Sequence, residues 1–148
     1  MKAKTIIGWR EKVALPDLGI EGVKAKIDTG AQTSSLHAFN ARKFKKDGED
    51  WVRFTVHPVK RRRKPAIVCE AKIVDVRTVV SSNGSRERRP VISTTMKLGP
   101  FKKKIELTLT NRDEMGYRML VGRQALQRMF VVDSGASYTF GGRKDKVK

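Results

Sequence analysis

Cysteine is almost missing from this chain. A single Cys69 in 148 residues cannot close an internal disulfide and offers no thiolate cluster to a metal. Histidine is nearly as scarce, with only His37 and His57. No His-Glu-x-x-His pair occurs, so the helical zinc signature is absent, and a three-ligand site would have to gather both histidines and a carboxylate without that spacing. No glycine-rich loop ending in Lys-Ser or Lys-Thr is present, which leaves nucleotide binding by this chain without a sequence basis. Neither metal nor cofactor is expected. Aromatic residues make up 7% of the chain and form no run that suggests a base-stacking platform. No apolar run approaches the ~18 residues of a membrane-spanning helix. Residues Thr5 to Trp9, behind Lys2 and Lys4, are too few for a signal-peptide core. These absences favour a cytoplasmic protein without a membrane partner. Its one thiol, in Ala66-Ile67-Val68-Cys69, reads as a buried strand residue.

Acidic residues are the minority charge. Fifteen Asp and Glu against 33 Lys and Arg give a net charge of +18, so the partner class this charge attracts is polyanionic: RNA, ribosomes, an anionic membrane surface or acidic peptides. A self-repelling solvated surface is the plain alternative. The run Lys60-Arg61-Arg62-Arg63-Lys64 falls between two strand candidates, as a charged hairpin tip or a grip for phosphate or carboxylate.

What is abundant is alternation. Strands are predicted over Lys4 to Trp9, Lys12 to Leu15, Ile20 to Ile27, Ser34 to Phe44, Trp51 to Val56, Ala66 to Val80, Pro90 to Met96, Phe101 to Thr110 and Phe130 to Asp133. Turn chemistry separates them at Pro16-Asp17-Leu18-Gly19, Asp47-Gly48-Glu49-Asp50, Asn83-Gly84 and Leu98-Gly99-Pro100. The one convincing helix is Gln124 to Met129. About eight to ten strands against one helix predict a mainly β, closed structure. One domain is expected over residues 1–140, followed by a frayed basic tail over 141–148.

Into this pattern falls Asp28-Thr29-Gly30-Ala31-Gln32-Thr33-Ser34-Ser35-Leu36-His37-Ala38. A strand ends on a carboxylate, and glycine lets the chain turn at once and bring backbone N–H groups beside it. The string resembles the active-site loop of retropepsin-like aspartic peptidases, above all a bacterial family also labelled ATP-dependent zinc protease and linked to RimK-type ATP-grasp peptide ligases. A second stretch, Met119-Leu120-Val121-Gly122-Arg123-Gln124-Ala125-Leu126, resembles the same family's strand-to-helix joint beside the catalytic loop. The resemblance implies an acid-protease barrel with one short C-terminal helix. It also implies a flap, for which the hairpin carrying Asn83 and Gly84 is the candidate; an ordinary exposed turn is the alternative.

The implied roles follow residue by residue. Asp28 is the catalytic acid and base, with Thr29 and Gly30 holding its loop. Ala31, Gln32 and Thr33, with Asn83 and Gly84 of the flap, would meet substrate. Gly122 and Arg123 would support the loop. Viral retropepsins carry acidic residues after the loop alanine, where this chain has Gln32-Thr33, so Arg123 is expected to lack its usual acidic partner. The zinc label finds no support in ligand spacing, and ATP use would belong to a partner ligase. His37 reads as a satisfied strand histidine, with substrate contact as the alternative.

One carboxyl is insufficient for this chemistry, which uses two sharing a proton around a water. Asp133, in a second Asp-Ser-Gly triplet, is a formal in-chain candidate, but it reads as a turn residue after the last strand. The retropepsin solution is a homodimer, each copy contributing one Asp28. The leading expectation is therefore a homodimeric aspartic peptidase acting on peptides, acidic or glutamate-rich ones given the charge. The alternative is a non-catalytic basic β-module that binds RNA or the ribosome.

Overall fold

Alternation of apolar and polar side chains becomes alternation of buried and exposed faces. The computed structural model describes residues 3–59, 65–80, 84–111 and 116–141. The run Lys60–Lys64, Asn83 and the tail after Gly141 lie outside the described residues. The strands are β1 (Thr5–Gly8), β2 (Arg10–Leu15), β3 (Ile20–Ile27), β4 (Ser34–His37), β5 (Phe39–Lys46), β6 (Glu49–Val56), β7 (Ile67–Val80), β8 (Arg86–Leu98), β9 (Phe101–Thr110), β10 (Met119–Val121) and β11 (Phe130–Asp133). One short helix, α1 (Arg123–Leu126), follows β10. In β6, Val52, Phe54 and Val56 are buried while Trp51, Arg53 and Thr55 are not, as period-two patterning requires.

Six strands close into a barrel in the order β2-β3-β10-β4-β9-β8, sealed by the bridge Ala14↔Lys97 between β2 and β8. This is the closed, mainly β fold expected from the resemblance. From β8 the sheet continues outward through β7, β6 and β5. Strands β1 and β11 form a separate parallel pair, with Ile6 opposite Val131. The core gathers Val13, Ile20, Leu36, Phe54, Ile92, Leu107 and Val121 from both the barrel and its extension. No helix among the described residues is long and apolar enough to cross a membrane.

Two expectations need correction. The strand expected over Ser34 to Phe44 is two strands interrupted at Ala38, whose N–H donates to Thr110 O at 2.8 Å before the chain leaves β9 for the β5–β6 hairpin; the left-handed Asn40 lies within β5, at its bulge against β6. The helix expected over Gln124 to Met129 is a single turn beginning one residue earlier. Arg128 is left-handed at φ 73°, and Lys103 Nζ takes the carbonyls of Gln124 and Gln127 at 3.0 and 3.2 Å. Good intrinsic propensity gives way to these tertiary contacts. Cys69 is buried, as expected, and that burial pushes its thiol up to about 11.

Candidate active site

Strand β3 delivers Asp28 to the barrel wall. Its backbone N–H donates to Val121 O at 2.9 Å, and β3 runs parallel to β10 with Ile27 beside Val121. The chain then turns on Thr29-Gly30. Gly30 N–H donates to Asp28 Oδ1 at 3.0 Å, and Ala31 N–H to Asp28 O at 3.2 Å. The carboxylate is thus held by its own loop, half-buried, while Thr29 and Gly30 are exposed.

The strand-to-helix joint clamps the same loop from behind. Arg123 N–H donates to Ala31 O at 2.8 Å and Gln124 N–H to Gln32 O at 3.1 Å. Gly122 N–H donates to the buried Ser34 Oγ at 3.0 Å. A methyl group on Gly122 would stand 2.8 Å from the Thr33 carbonyl carbon and 2.9 Å from Ala31 O, so only glycine lets the two segments approach this closely. Among the described residues Arg123 meets no acid: its guanidinium donates to the Gly30 and Thr29 carbonyls at 3.2 and 3.4 Å.

Asp28 opens onto a cleft of about 500 Å³ whose walls include Ala31, Gln32, Thr33, Arg77, Val79 and Arg89. Strands β7 and β8 overhang it as an antiparallel hairpin, with Val80 opposite Arg86. Of the expected substrate-contacting residues, Ala31, Gln32 and Thr33 line the cleft. Gly84 is exposed near the hairpin tip and does not line it; Asn83 is outside the described residues. Thr29 faces a different groove, shared with Trp9, Arg123 and Ser134. Asp133 repeats the local turn of Asp28, with Gly135 N–H on its Oδ1 at 2.9 Å, but it does not line the Asp28 cleft.

His37 is buried, its Nδ1 2.9 Å from Arg118 Nη1 and its Nε2 3.2 Å from Asn111 O. Those partners suit a neutral ring that accepts at Nδ1 and donates at Nε2. Phe39 stacks against both His37 and His57, at 4.4 and 4.6 Å between ring centroids. No three His, Cys, Asp or Glu side chains gather as a metal site among the described residues.

Sequence reasoning missed three residues here: Ser34, Arg77 and Arg89. Arg77 donates to Thr33 Oγ1 at 3.2 Å, Glu106 Oε1 at 2.6 Å and Asp75 Oδ2 at 3.0 Å. The available signal was the Asn-Gly turn. A two-residue Asn-Gly turn brings these strands together but would pair residue 77 with residue 90; the observed register is one residue off, with Arg77 opposite Arg89.

A closed six-stranded barrel with an Asp-Thr-Gly-Ala loop clamped by a Gly-Arg joint defines the retropepsin-like class. More narrowly, residues 6–141 match the RimB-like family, described as retropepsin-like aspartic endopeptidase RimB, and the chain belongs to that family. A probable alpha-L-glutamate ligase of Shewanella pealeana is 49% identical over 142 residues, 96% of this chain and 31% of that protein. Proteins of the same description from Desulfotalea psychrophila and Parasynechococcus marenigrum are 45% and 44% identical, over 94% and 100% of this chain and 30% and 32% of theirs. The chain therefore spans about a third of the length of these curated relatives. A crystal structure of a Legionella pneumophila protein of unknown function superposes with a TM-score of 0.77 at 32% identity, covering 94% of this chain and all of that one.

Proposed function

We propose that this chain is an aspartic peptidase whose active site is shared by two copies, each contributing Asp28. The observation that carries this reading is the Asp28 loop itself. Its carboxylate is oriented by Gly30 N–H on the floor of a cleft of about 500 Å³, and it is the only carboxylate among the cleft-lining residues described. In the two-copy site one carboxylate takes a proton from the bound water. The other, protonated, polarises the scissile carbonyl and later passes its proton to the leaving nitrogen. Two carboxyls so close do not both ionise easily, so the pair shares one proton and titrates as a unit. Thr29 and Gly30 hold the loop, Gly122 and Arg123 brace it, and Ala31, Gln32 and Thr33 form the cleft wall beside the substrate.

Acidic or glutamate-rich peptides are the proposed substrates. The net charge of +18 and two arginines in the cleft favour anionic chains. The relatives named as probable alpha-L-glutamate ligases support a functional link to an enzyme that adds such residues.

The test incubates the wild-type chain and Asp28→Asn with a peptide pool that includes glutamate-rich members, with products read by mass spectrometry. Wild type should cleave, and Asp28→Asn should fall by roughly 10³-fold or more while keeping the wild-type fold. Equal cleavage by both would sink the assignment. Cleavage by neither, with salt-sensitive RNA binding by both, would favour the basic-module alternative.

A further inference from the structure

The cleft holds two guanidinium groups, and they are not equivalent. Arg77 and Arg89 stand directly opposite each other in the β7–β8 ladder. Like charges in that relation destabilise a sheet unless each is compensated. Arg77 is compensated by Glu106 and Asp75. Arg89 is not compensated to the same degree. Its side chain is only 10% exposed, yet its guanidinium has a single, long contact among the described residues, Nη2 to Glu87 Oε2 at 3.5 Å. Its Nε is buried with no hydrogen-bond partner. A buried charge with idle donors is costly, and folded proteins keep one where an incoming group completes it.

The position of Arg89 indicates what that group is. It lines the Asp28 cleft and also a small cavity of about 20 Å³, shared with Ser35, His37, Thr110, Tyr117 and a second arginine, Arg118, which is bonded to His37. No acidic residue lines that cavity among those described. That cavity has room for about one water, whereas the cleft of about 500 Å³ on which Arg89 also borders has room for a peptide side chain, and a planar fork of N–H donors matches a carboxylate in two-point fashion. A primary amide of the same shape brings one acceptor and two donors, and its donors would oppose the guanidinium.

We infer that Arg89 is a specificity-determining residue that receives an acidic side chain of the bound peptide, at a subsite in the same cleft as Asp28. This rests on the reading of that cleft as the peptide-binding site. It assigns Arg89 no part in bond breaking. Arg77, already engaged with Glu106, Asp75 and Thr33, holds the hairpin over the cleft.

The experiment measures binding separately from cleavage. Two fluorescent peptides that differ only in Glu or Gln at the same positions are titrated into the full chain carrying Asp28→Asn, alone and combined with Arg89→Met. A second combination, with Lys102→Met, removes the same charge from an exposed site six residues along β9 from Thr108. The Glu peptide should bind about tenfold or more tightly than the Gln peptide. Arg89→Met should erase most of that ratio and Lys102→Met should not. A ratio unchanged by Arg89→Met, or reduced equally by Lys102→Met, overturns the inference in favour of bulk electrostatics. Should Arg89→Met fail to fold, arginine Nε–H NMR of the Asp28→Asn chain decides. The Arg89 signal, assigned with Arg89→Lys, should shift with the Glu peptide and not with its Gln twin; equal shifts overturn the inference. Mass spectrometry of wild-type mixtures separates the two proposals. Cleavage without Glu preference removes the subsite and leaves the peptidase. Glu-selective binding through Arg89 without cleavage does the reverse.

Discussion

Gly122 carries more structural consequence than its size suggests. It is where the joint after β10 touches the acidic loop, and its N–H is spent on Ser34 Oγ inside the protein. Gly122→Ala would press a methyl group against the Thr33 and Ala31 main chain, which has little room to give. Overpacking of this kind costs about 1–3 kcal/mol, so the denaturant midpoint should fall. If the proposed chemistry holds, turnover should fall further than stability, because the displaced segment carries Asp28. A variant with unchanged midpoint and turnover would mean that the clamp is not needed. At this scale the loop string and the Gly-Arg joint were legible because their roles depend on local chain geometry. Arg89 was not, because what sets it apart from the other Lys and Arg residues is burial with little compensation opposite an arginine that is compensated, and burial appears only once the hairpin register is in place. His37 lies within the loop string in sequence, yet its ring is engaged by Arg118 and Asn111, residues more than seventy positions away.

Elements of the barrel are joined by one buried acid that alternation misplaces. In β2 the inward positions are Glu11, Val13 and Leu15, so a glutamate occupies an apolar slot. Its carboxylate accepts from Gly8 N–H at 2.7 Å, Thr139 N–H at 2.9 Å and Thr139 Oγ1 at 2.8 Å. It therefore ties the link between β1 and β2 to the segment after β11, a contact across 128 positions. Glu11→Ala leaves those buried donors without acceptors, at about 1–3 kcal/mol for each one that water does not reach. The expected result is a lower unfolding midpoint together with faster amide exchange at Gly8 and Thr139. Exchange unchanged at both amides would show that the tie is dispensable. Strand positions and turns were legible because period-two patterning is local. The length of α1 was not, since Lys103 from β9 captures the carbonyls at its end. Nor was the break at Ala38, where the passage from barrel to outer hairpin depends on which strands receive the chain.

At the scale of the whole molecule, one acid per cleft leaves the chemistry incomplete, and β1 and β11 suggest how a second copy completes it. These two strands pair only with each other, and an isolated two-stranded sheet is marginal without something to pack on. Its inner side has that support in Ile7 and Phe130, both buried. Its outer side does not: Ile6 and Val131, paired across the two strands, are 61% and 48% exposed. The link from β1 reaches the acidic loop, because Ile27 N–H donates to Trp9 O at 2.7 Å and Trp9 and Thr29 line one groove. Ile6 and Val131 thus form an exposed apolar pair on the face of this ribbon opposite Phe130 and Val132, which line that groove, and a second copy related by a two-fold axis is the partner proposed to cover it. Net charge opposes this association, since two copies at +18 repel at long range, and salt should favour it by screening. Specific activity should accordingly fall on dilution through the range where sedimentation shows dimer giving way to monomer. Raised salt should shift that range to lower concentration. Ile6→Glu combined with Val131→Glu should weaken the dimer and reduce activity in parallel, and concentrating the variant should recover both. Full activity in a species that sediments as a monomer would refute the shared site and require a second acid from elsewhere in the chain, where Asp133 would be the first residue to test.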